Sequence, residues 1–522
     1  MGFLKDKFGI GAKQKEESKF NASLGHYFNE TYFDGETTPG AIGHVKEYYI
    51  DNYTLSARSW QAFIESDAAQ LILKQYQKWV IGSGLKLKSD INEIVLESEG
   101  IKINTDDVSK LIENRFYIFS NAHAFTHSGE CSINDEASST YKESIISGDC
   151  LVILRVVNNN ITTQLIEARF LTTPHEEVQA AEKRGNIISG GIEENKKGTH
   201  IAYYIQTNND GSYKRIKAMS GKFRMAFMIY GMKYRSTDNR GIPLFSAALE
   251  TLAKIDRYKD AVIGSAEERQ KIAYAITHDI GSSGANPLQD KINARTVASV
   301  DAINGGVNTS NQLVVETTGK QAINLNPGAD LKVLETKNEL YFESFYTINM
   351  RLLCATIGIP MEVAFSWYDS NYSASRAALK SWEHTLKVER KSFSDQYYKR
   401  IYALWFHLEV NASKISVPGY MKAWSDGNIM VTESYKACSF LGDNIPHIDP
   451  LKEVAAERMK LGGSGVNIPL TTPEKATRNL SEGEYDSNIR EYERQFSELE
   501  DSIANFSNTP QEIEEKKDTK ED

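Results

Sequence analysis

The chain has 522 residues, 60 of them Lys or Arg and 70 Asp or Glu, for a formal net charge of −10. That length predicts about three structural regions rather than one domain. The acidic balance excludes a general nucleic-acid coat, which needs a basic surface to displace counterions from phosphate. Apolar residues make up 40%, below the usual globular share, while Tyr and Phe number 26 and 21; this suits a water-soluble chain that completes its core on neighbours.

Residues 1–20 are rich in Lys, Glu and Gly and predict a mobile arm, with Phe3, Leu4, Phe8 and Ile10 as a weak docking edge. The start, Met1-Gly-Phe-Leu-Lys-Asp6, lacks a signal peptide's apolar stretch. It also has Asp6 where a myristoylation motif needs Ser or Thr, so synthesis in the cytoplasm is expected. From Asn52 to Ile81 the apolar spacing is helical, with Ser56, Ser59 or Asp67 as candidate caps and Gly82-Ser-Gly84 as the stop. Leu85–Lys88 alternates like a strand entry.

Residues 105–128 and 135–147 read as two further helices. A strand-rich section follows: Cys150–Val157, Ile161–Ile166, His200–Thr207 and Lys222–Tyr230, with turns at Asn158–Asn160 and Gly190–Asn195. These predict an α+β body of short antiparallel strands carrying helices. A long helix is expected from Pro243 to about His278, on Leu249, Leu252, Ile255, Tyr258 and Val262. Residues 279–335 are Gly/Ser/Asn-rich, with β-like pieces at Gln312–Glu316 and Leu331–Leu334.

Helix returns at Lys337–Ile357, where Tyr341, Phe345, Ile348, Leu352 and Ala355 make one apolar stripe. After Gly358-Ile-Pro360 and the irregular stretch Met361–Ser373, a second long helix is expected from Ala374 to about Val410. Its stripe runs Ala378, Trp382, Leu386, Phe393, Tyr397, Ile401, Leu404 and His407. Residues 471–504 hold one or two charged amphipathic helices, and 508–522 reads as solvated disorder. Two helices of up to about 50 Å bracketing a small β-like excursion are unusual in an ordinary enzyme domain.

Chemical motifs are few. His123, His127 and Cys131 fall at i, i+4 and i+8, a metal-ligand spacing on one helix face, but the Cys lies beside Gly129 at the helix end, so packing and polarity are preferred. His175-Glu-Glu-Val-Gln179 lacks the second His of a zinc-protease helix and reads as an acidic first turn after Pro174. Ser220-Gly-Lys222 continues with Phe223 and Thr318-Gly-Lys320 with Gln321, so neither supplies the hydroxyl of a phosphate-binding loop. No nucleophile elbow occurs. Cys131, Cys150, Cys354 and Cys438 lie far apart without a CxxC pair, as expected of free thiols in a reducing compartment. No apolar run reaches the roughly 18 residues of a membrane span. No catalytic residues, metal or cofactor are expected, and the chain is not expected to be an enzyme.

Several blocks taken together resemble the lambda-type portal protein family of tailed bacteriophages. Ile357-Gly-Ile-Pro-Met-Glu362 followed by Tyr372-Ser-Ala-Ser-Arg-Ala-Ala-Leu379 is similar to the family's GIP…YSSARAAL block. Ile448-Asp-Pro-Leu-Lys-Glu453 resembles its IDPxKE signature, and Leu470–Arg478 the Thr-rich helix start after it. Upstream, Ser56–Arg58 with Ile81–Leu85, Ser147–Arg155 with Leu165–Arg169, and Arg240-Gly-Ile-Pro243 resemble further family segments in the same order. The departures are Cys150-Leu151 where Glu-Val is usual, a Ser/Ala exchange within 373–376, and termini that do not align.

The resemblance implies a ring, expected as a dodecamer, at one capsid vertex, through which terminase packages double-stranded DNA and through which DNA later leaves. It implies an α+β wing over residues 21–242, stem helices at 243–278 and 336–360, and a β-containing clip at 279–335 that meets the terminase large subunit and then the head–tail adaptor. A tunnel loop would span 361–373, a long wing helix and return 374–439, and a helical crown 440–507, before the acidic tail 508–522. Candidate channel residues are Trp367, Tyr368, Asp369, Ser370, Asn371 and Tyr372. For Trp367 and Tyr368, packing against the next subunit's stem is preferred over contact with DNA. Arg376 would meet a DNA phosphate or a carboxylate of a neighbouring subunit. Major capsid or scaffold protein is a further expected partner, no membrane is, and the place is the virion after assembly in the host cytoplasm. The alternatives are another head–tail adaptor ring or an enzymatic packaging component.

Overall fold

The structure, a computed structural model, describes residues 51–123, 125–158, 160–207, 211–276, 314–317, 320–324, 342–367, 372–445, 450–462, 469–480 and 485–507. In chain order its elements are α1 (Asn52–Glu65), α2 (Asp67–Val80), β1 (Lys86–Ser89), α3 (Glu93–Ser98), α4 (Thr105–Ser120), α5 (Ile133–Ser147), β2 (Asp149–Val157), β3 (Asn160–Glu167) and α6 (His175–Lys183). There follow β4 (Ile187–Ser189), β5 (Ile192–Glu194), β6 (His200–Gln206), β7 (Tyr213–Lys217), β8 (Met219–Ser220), β9 (Phe223–Arg224), β10 (Ala226–Tyr230), α7 (Leu249–Lys271), β11 (Ile272–Ile276), β12 (Val314–Thr317) and β13 (Lys320–Asn324). The last are α8 (Phe342–Ile357), α9 (Met361–Phe365), α10 (Tyr372–Gln396), α11 (Tyr398–Asn411), α12 (Tyr420–Asp426), α13 (Ile429–Lys436), β14 (Cys438–Leu441), α14 (Pro450–Lys460), α15 (Pro473–Asn479) and α16 (Tyr485–Ser507). They form two compact units, one of Met1–Gln75, Thr140–Arg155 and Thr163–Trp367, the other of Tyr76–Ser139, Val156–Thr162 and Tyr368–Asp522.

In the first unit, a three-stranded sheet of order β10-β2-β3 and a four-stranded antiparallel sheet of order β4-β5-β6-β7 share one core. Leu151 and Ile153, Tyr203 and Ile205, and Ala226 and Met228 step by two along their strands and meet there with Leu171, Ile192 and Ala218. Tyr204, one residue out of phase with Tyr203, faces the other way onto Ala181 of α6, as the alternation of a strand requires. The sequence placed this α+β body correctly. Its details differ: Ile192–Glu194 is strand rather than turn, the strands Ile187–Ser189 and Tyr213–Lys217 were not expected, and the expected strand Lys222–Tyr230 is interrupted at Met225.

The helical expectations need more correction. One helix over 52–81 is two, because Ser66 turns extended (ψ 121°) after its N–H closes on Ala62 O at 2.9 Å. The first of them is capped by Asp51, whose Oδ1 accepts from the Thr54 N–H at 3.2 Å, while Ser56 and Ser59 are buried inside it. The 105–128 helix stops at Ser120, so His123 and His127 sit in turns and the i, i+4, i+8 alignment with Cys131 does not form.

The first long helix begins at Leu249, not Pro243. Before it the Leu244 N–H is drawn to Ile145 O at 2.9 Å, and tight turns close from Ser246 to Pro243 and from Ala248 to Phe245. It ends at Lys271, where Ile272-Ala-Tyr-Ala-Ile276, apolar at every second residue, pairs as a strand parallel to β13. β12 pairs antiparallel with β13, so the excursion between α7 and α8 carries a small sheet of order β11-β13-β12. Leu331–Leu334 and Tyr341 lie outside the described residues.

The expected apolar stripe is the exposed face of α8: Ile348 is 65% and Leu352 59% exposed, and Phe345 and Ala355 are exposed too. Met350, Leu353, Cys354 and Ile357, also at helical spacing, are buried instead. The helix is apolar on two faces, and one chain covers only one of them. Next to α8, Tyr258 of α7 packs its ring 4.3 Å from Phe345 and 5.8 Å from Phe342, while Ile263 of α7 is exposed.

The second unit is built on aromatic rings. Phe116 packs edge-on to Tyr402, Trp405 and Phe440, and Trp382 is fully buried against Tyr76 at 5.1 Å. β1 pairs antiparallel with β14, placing Leu87 opposite Phe440. Arg390 donates to Trp79 O at 2.6 Å and Val80 O at 3.2 Å, which satisfies two of the carbonyls α2 leaves open at its end. The expected helix 374–410 is interrupted at Tyr397 (φ −107°, ψ −71°). Ser394 Oγ donates back to Arg390 O at 2.6 Å, a contact that bends helices. The bonds Tyr397 N–H to Phe393 O and Ile401 N–H to Tyr397 O still cross the bend.

Candidate functional site

The candidate channel segment starts where α8 ends. Gly358 (φ +87°) takes the left-handed turn that stops the helix, and the N–H groups of Gly358 and Ile359 both donate to Cys354 O, at 2.9 and 3.0 Å. Pro360 then starts α9, with its carbonyl accepting from Val363 and Ala364 at 3.1 and 2.9 Å. Directly after this five-residue helix Ser366 adopts left-handed geometry (φ +52°, ψ +35°), uncommon for a residue with a Cβ, and the Trp367 N–H closes on Glu362 O at 3.1 Å. Of the irregular stretch expected over 361–373, residues 361–367 are a one-turn helix followed by a tight stop.

Trp367 emerges from this stop 58% exposed, in the first unit. Tyr368, Asp369, Ser370 and Asn371 lie outside the described residues. Tyr372 is the first residue of α10. Beneath the segment, burial and the nearby Glu362 charge push the Cys354 thiol up to about 12, which leaves it inert at neutral pH.

Arg376 lies in the second unit, one turn into α10, partly exposed, with Nη2 3.9 Å from Glu453 Oε1 at the start of α14. This joins two of the sequence blocks, Tyr372–Leu379 and Ile448–Glu453, through a loose ion pair within one chain. Inside the first unit, three other blocks meet more tightly. Arg240 Nε and Nη2 donate to the two oxygens of Asp149 at 2.7 and 2.9 Å, and the Gly241 N–H adds a third bond at 2.6 Å. Arg240 also donates to Gly190 O at 2.9 Å and Ala168 O at 3.2 Å. Both ions are buried.

The two backbones touch there. A Cβ at Gly148 (φ +96°) would stand 2.6 Å from the Ile242 carbonyl carbon, and one at Gly241 would stand 2.0 Å from Gly148 O. Sequence reading found these blocks but missed that they form one cluster. The available signal was that each ion has a glycine beside it, Gly148-Asp149 and Arg240-Gly241.

Among the described residues no group of three or more His, Cys, Asp or Glu is placed to hold a metal ion, and no helix is long and apolar enough to cross a membrane.

The family model described as phage portal protein, lambda family, matches residues 36–390, roughly two thirds of the chain. It spans the blocks from Ser56 to Leu379; the 448–453 block lies beyond it. No curated protein matches the chain. A chain in the virion of a native gene transfer agent particle is 12% identical over 82% of this chain and 93% of its own, with a TM-score of 0.41. A chain in the neck of a native gene transfer agent particle, computed with C12 symmetry, is 12% identical over 74% and 98%, with a TM-score of 0.34. On the family match and the ordered blocks it covers, the chain belongs to the lambda family of phage portal proteins.

Proposed function

We propose that copies of this chain close into a ring of twelve that forms the DNA channel at one vertex of a phage head, a structural part of the virion rather than an enzyme. The observation that carries the ring is the apolar face of α8, where Phe345, Ile348 and Leu352 stand exposed. Fully burying such a side chain contributes about 1.5–3 kcal/mol. A repeated head-to-tail contact around a closed cyclic axis gives every copy the same cover.

In this reading α7 and α8 are the stem, and the segment between them, with β11, β12 and β13, is the clip that meets the terminase large subunit during packaging and the head–tail adaptor afterwards. The wing covers residues 21–242 and 374–439, the crown 440–507, and the wing meets major capsid or scaffold protein. Assembly takes place in the host cytoplasm. Trp367 and Tyr368 pack against the next subunit's stem, and Arg376 serves a subunit contact or a phosphate.

Double-stranded DNA has to slide, so the channel should hold it without binding it. Between Met361 and Ser375 there is no Lys or Arg, and Asp369 sits in the middle. Twelve such carboxylates about 8 Å apart around the hole repel pairwise by about 0.5 kcal/mol in water. The ring tolerates that, while phosphates are denied the contacts that would make DNA stick. Asp369→Lys is expected to leave the ring intact and to slow or stall packaging by terminase. Unchanged DNA per head would remove the electrostatic part of the proposal.

A further inference from the structure

α16 carries a second uncovered apolar stripe, with a different spacing. Ile489, Tyr492, Phe496 and Leu499 are all exposed, Tyr492 at 65%, and they step by three, four and three. In sequence the same spacing begins at Tyr485 and continues to Ile503 and Phe506, three heptads without a miss. This is the narrow two-per-heptad seam of a coiled coil, not the broader face of a helix lying on a globular core. The helix has 23 residues, long enough for such a seam. Its first turn is tied to its own unit, where Lys110 Nζ lies 3.5 Å from Asp486. The exposed part of the seam starts a turn further on.

The flanks of the seam differ in charge. On one side the heptad places Asp486, Glu493 and Glu500; on the other, Asn488, Gln495 and Ser502. Two such helices side by side and antiparallel would set acid against acid along one flank. Side by side and parallel, every acid faces an amide or hydroxyl. We propose that α16 pairs in parallel, in register, with α16 of a second copy of this chain. The pairing rests on the ring reading only for bringing copies together; the seam and its flanks are independent of it. A cyclic ring holds all copies pointing the same way, which is the orientation the charges select, and seam-to-seam pairing would join the α16 helices of a ring of twelve as six pairs.

The test is cysteine cross-linking in the full-length chain, with the particle mass measured on the same sample. Tyr492→Cys and Leu499→Cys, made separately, lie on the seam; Arg490→Cys lies on the opposite face and reports random collision, and the wild type reports links through the four native cysteines. Brief oxidation is expected to give several-fold more covalent dimer at both seam positions than in either control. Residues seven apart can both meet their own copies only in parallel register. Linking at one seam position alone would mean antiparallel pairing and overturn the proposal. So would a particle of several chains in which the seam variants link no better than Arg490→Cys, and that result would leave the ring untouched. A chain that remains monomeric at tens of micromolar overturns both.

Discussion

At Asp149 and Arg240, two ions far apart in sequence are buried together with every short bond made: bidentate to each other, with the Gly241 N–H and the carbonyls of Gly190 and Ala168 completing the set. Removing one partner leaves a buried charge, which costs about 3–5 kcal/mol. Asp149→Ala is therefore expected to lower the thermal midpoint strongly, and Arg240→Ala to do the same. A shift no larger than that of an exposed control such as Lys214→Ala would contradict the cluster's role.

Glu136 is a different case. Burial pushes its carboxyl up to about 8 against the partial relief of a hydrogen bond from Tyr397 Oη at 3.3 Å. The folded state holds this proton more tightly than the unfolded chain does, so unfolding releases it. Stability from this group is complete below about pH 4.5 and is lost as pH rises toward about 8. Glu136→Gln keeps the hydrogen-bonding shape without the charge. It is expected to stabilise the chain at pH 8.5, by an amount on the order of 2 kcal/mol, and to leave it nearly unchanged at pH 4.5. Thermal melts of both proteins at the two pH values check the sign.

Among elements, the two faces of α8 carry the central physical argument. Ile348 is exposed in one chain and is placed by the ring reading in a subunit contact. Ile348→Asp is expected to break the assembly into smaller species while each chain keeps its fold, read by particle mass together with an unchanged circular dichroism spectrum. Intact rings would show that this face is not where copies meet.

How much of these elements the sequence revealed follows from the physics of each. The strands Asp149–Val157 and His200–Gln206 were legible because each holds an unbroken apolar run of five, Cys150–Leu154 and Ile201–Ile205, between turn signals. The break at Ser66 was not, since it depends on one backbone angle. Nor was the bend at Tyr397, which comes with a serine hydroxyl turned back on the helix. β11 was read as helix because five residues alternating Ile, Ala and Tyr satisfy either period, and its partner β13 settles the matter from some fifty residues away. The apolar stripe of α8 was legible from its spacing; periodicity shows that a face is apolar, not whether its own chain covers it. Of the candidate site, the helix stop at Gly358 was legible from Gly-Ile-Pro, whereas the short helix α9 and the Arg376–Glu453 pair were not. Asp369 and its neighbours through Asn371 remain expectations from sequence, carried into the proposal by the absence of cationic side chains around them.

For the whole molecule, composition and structure agree on one deficit. The chain is less apolar than a typical globular protein, yet Phe345, Ile348 and Leu352 on α8 and Tyr492, Phe496 and Leu499 on α16 lie open to water. Two separate helices with uncovered apolar faces are costly for a monomer and ordinary for a subunit. The net charge of −10 adds a constraint of its own, since many copies held together repel more strongly as salt is removed. Ring yield is accordingly expected to rise with moderate salt, and a fall in yield would indicate that ion pairs, not apolar faces, hold the copies together.

The measurement that tests the account most directly is the mass and shape of the purified full-length particle, by native mass spectrometry with class averages of stained images. The account predicts a closed ring near twelve copies with a central hole wide enough for double-stranded DNA. A stable monomer or dimer at tens of micromolar, with both helix faces still exposed to solvent, would contradict it.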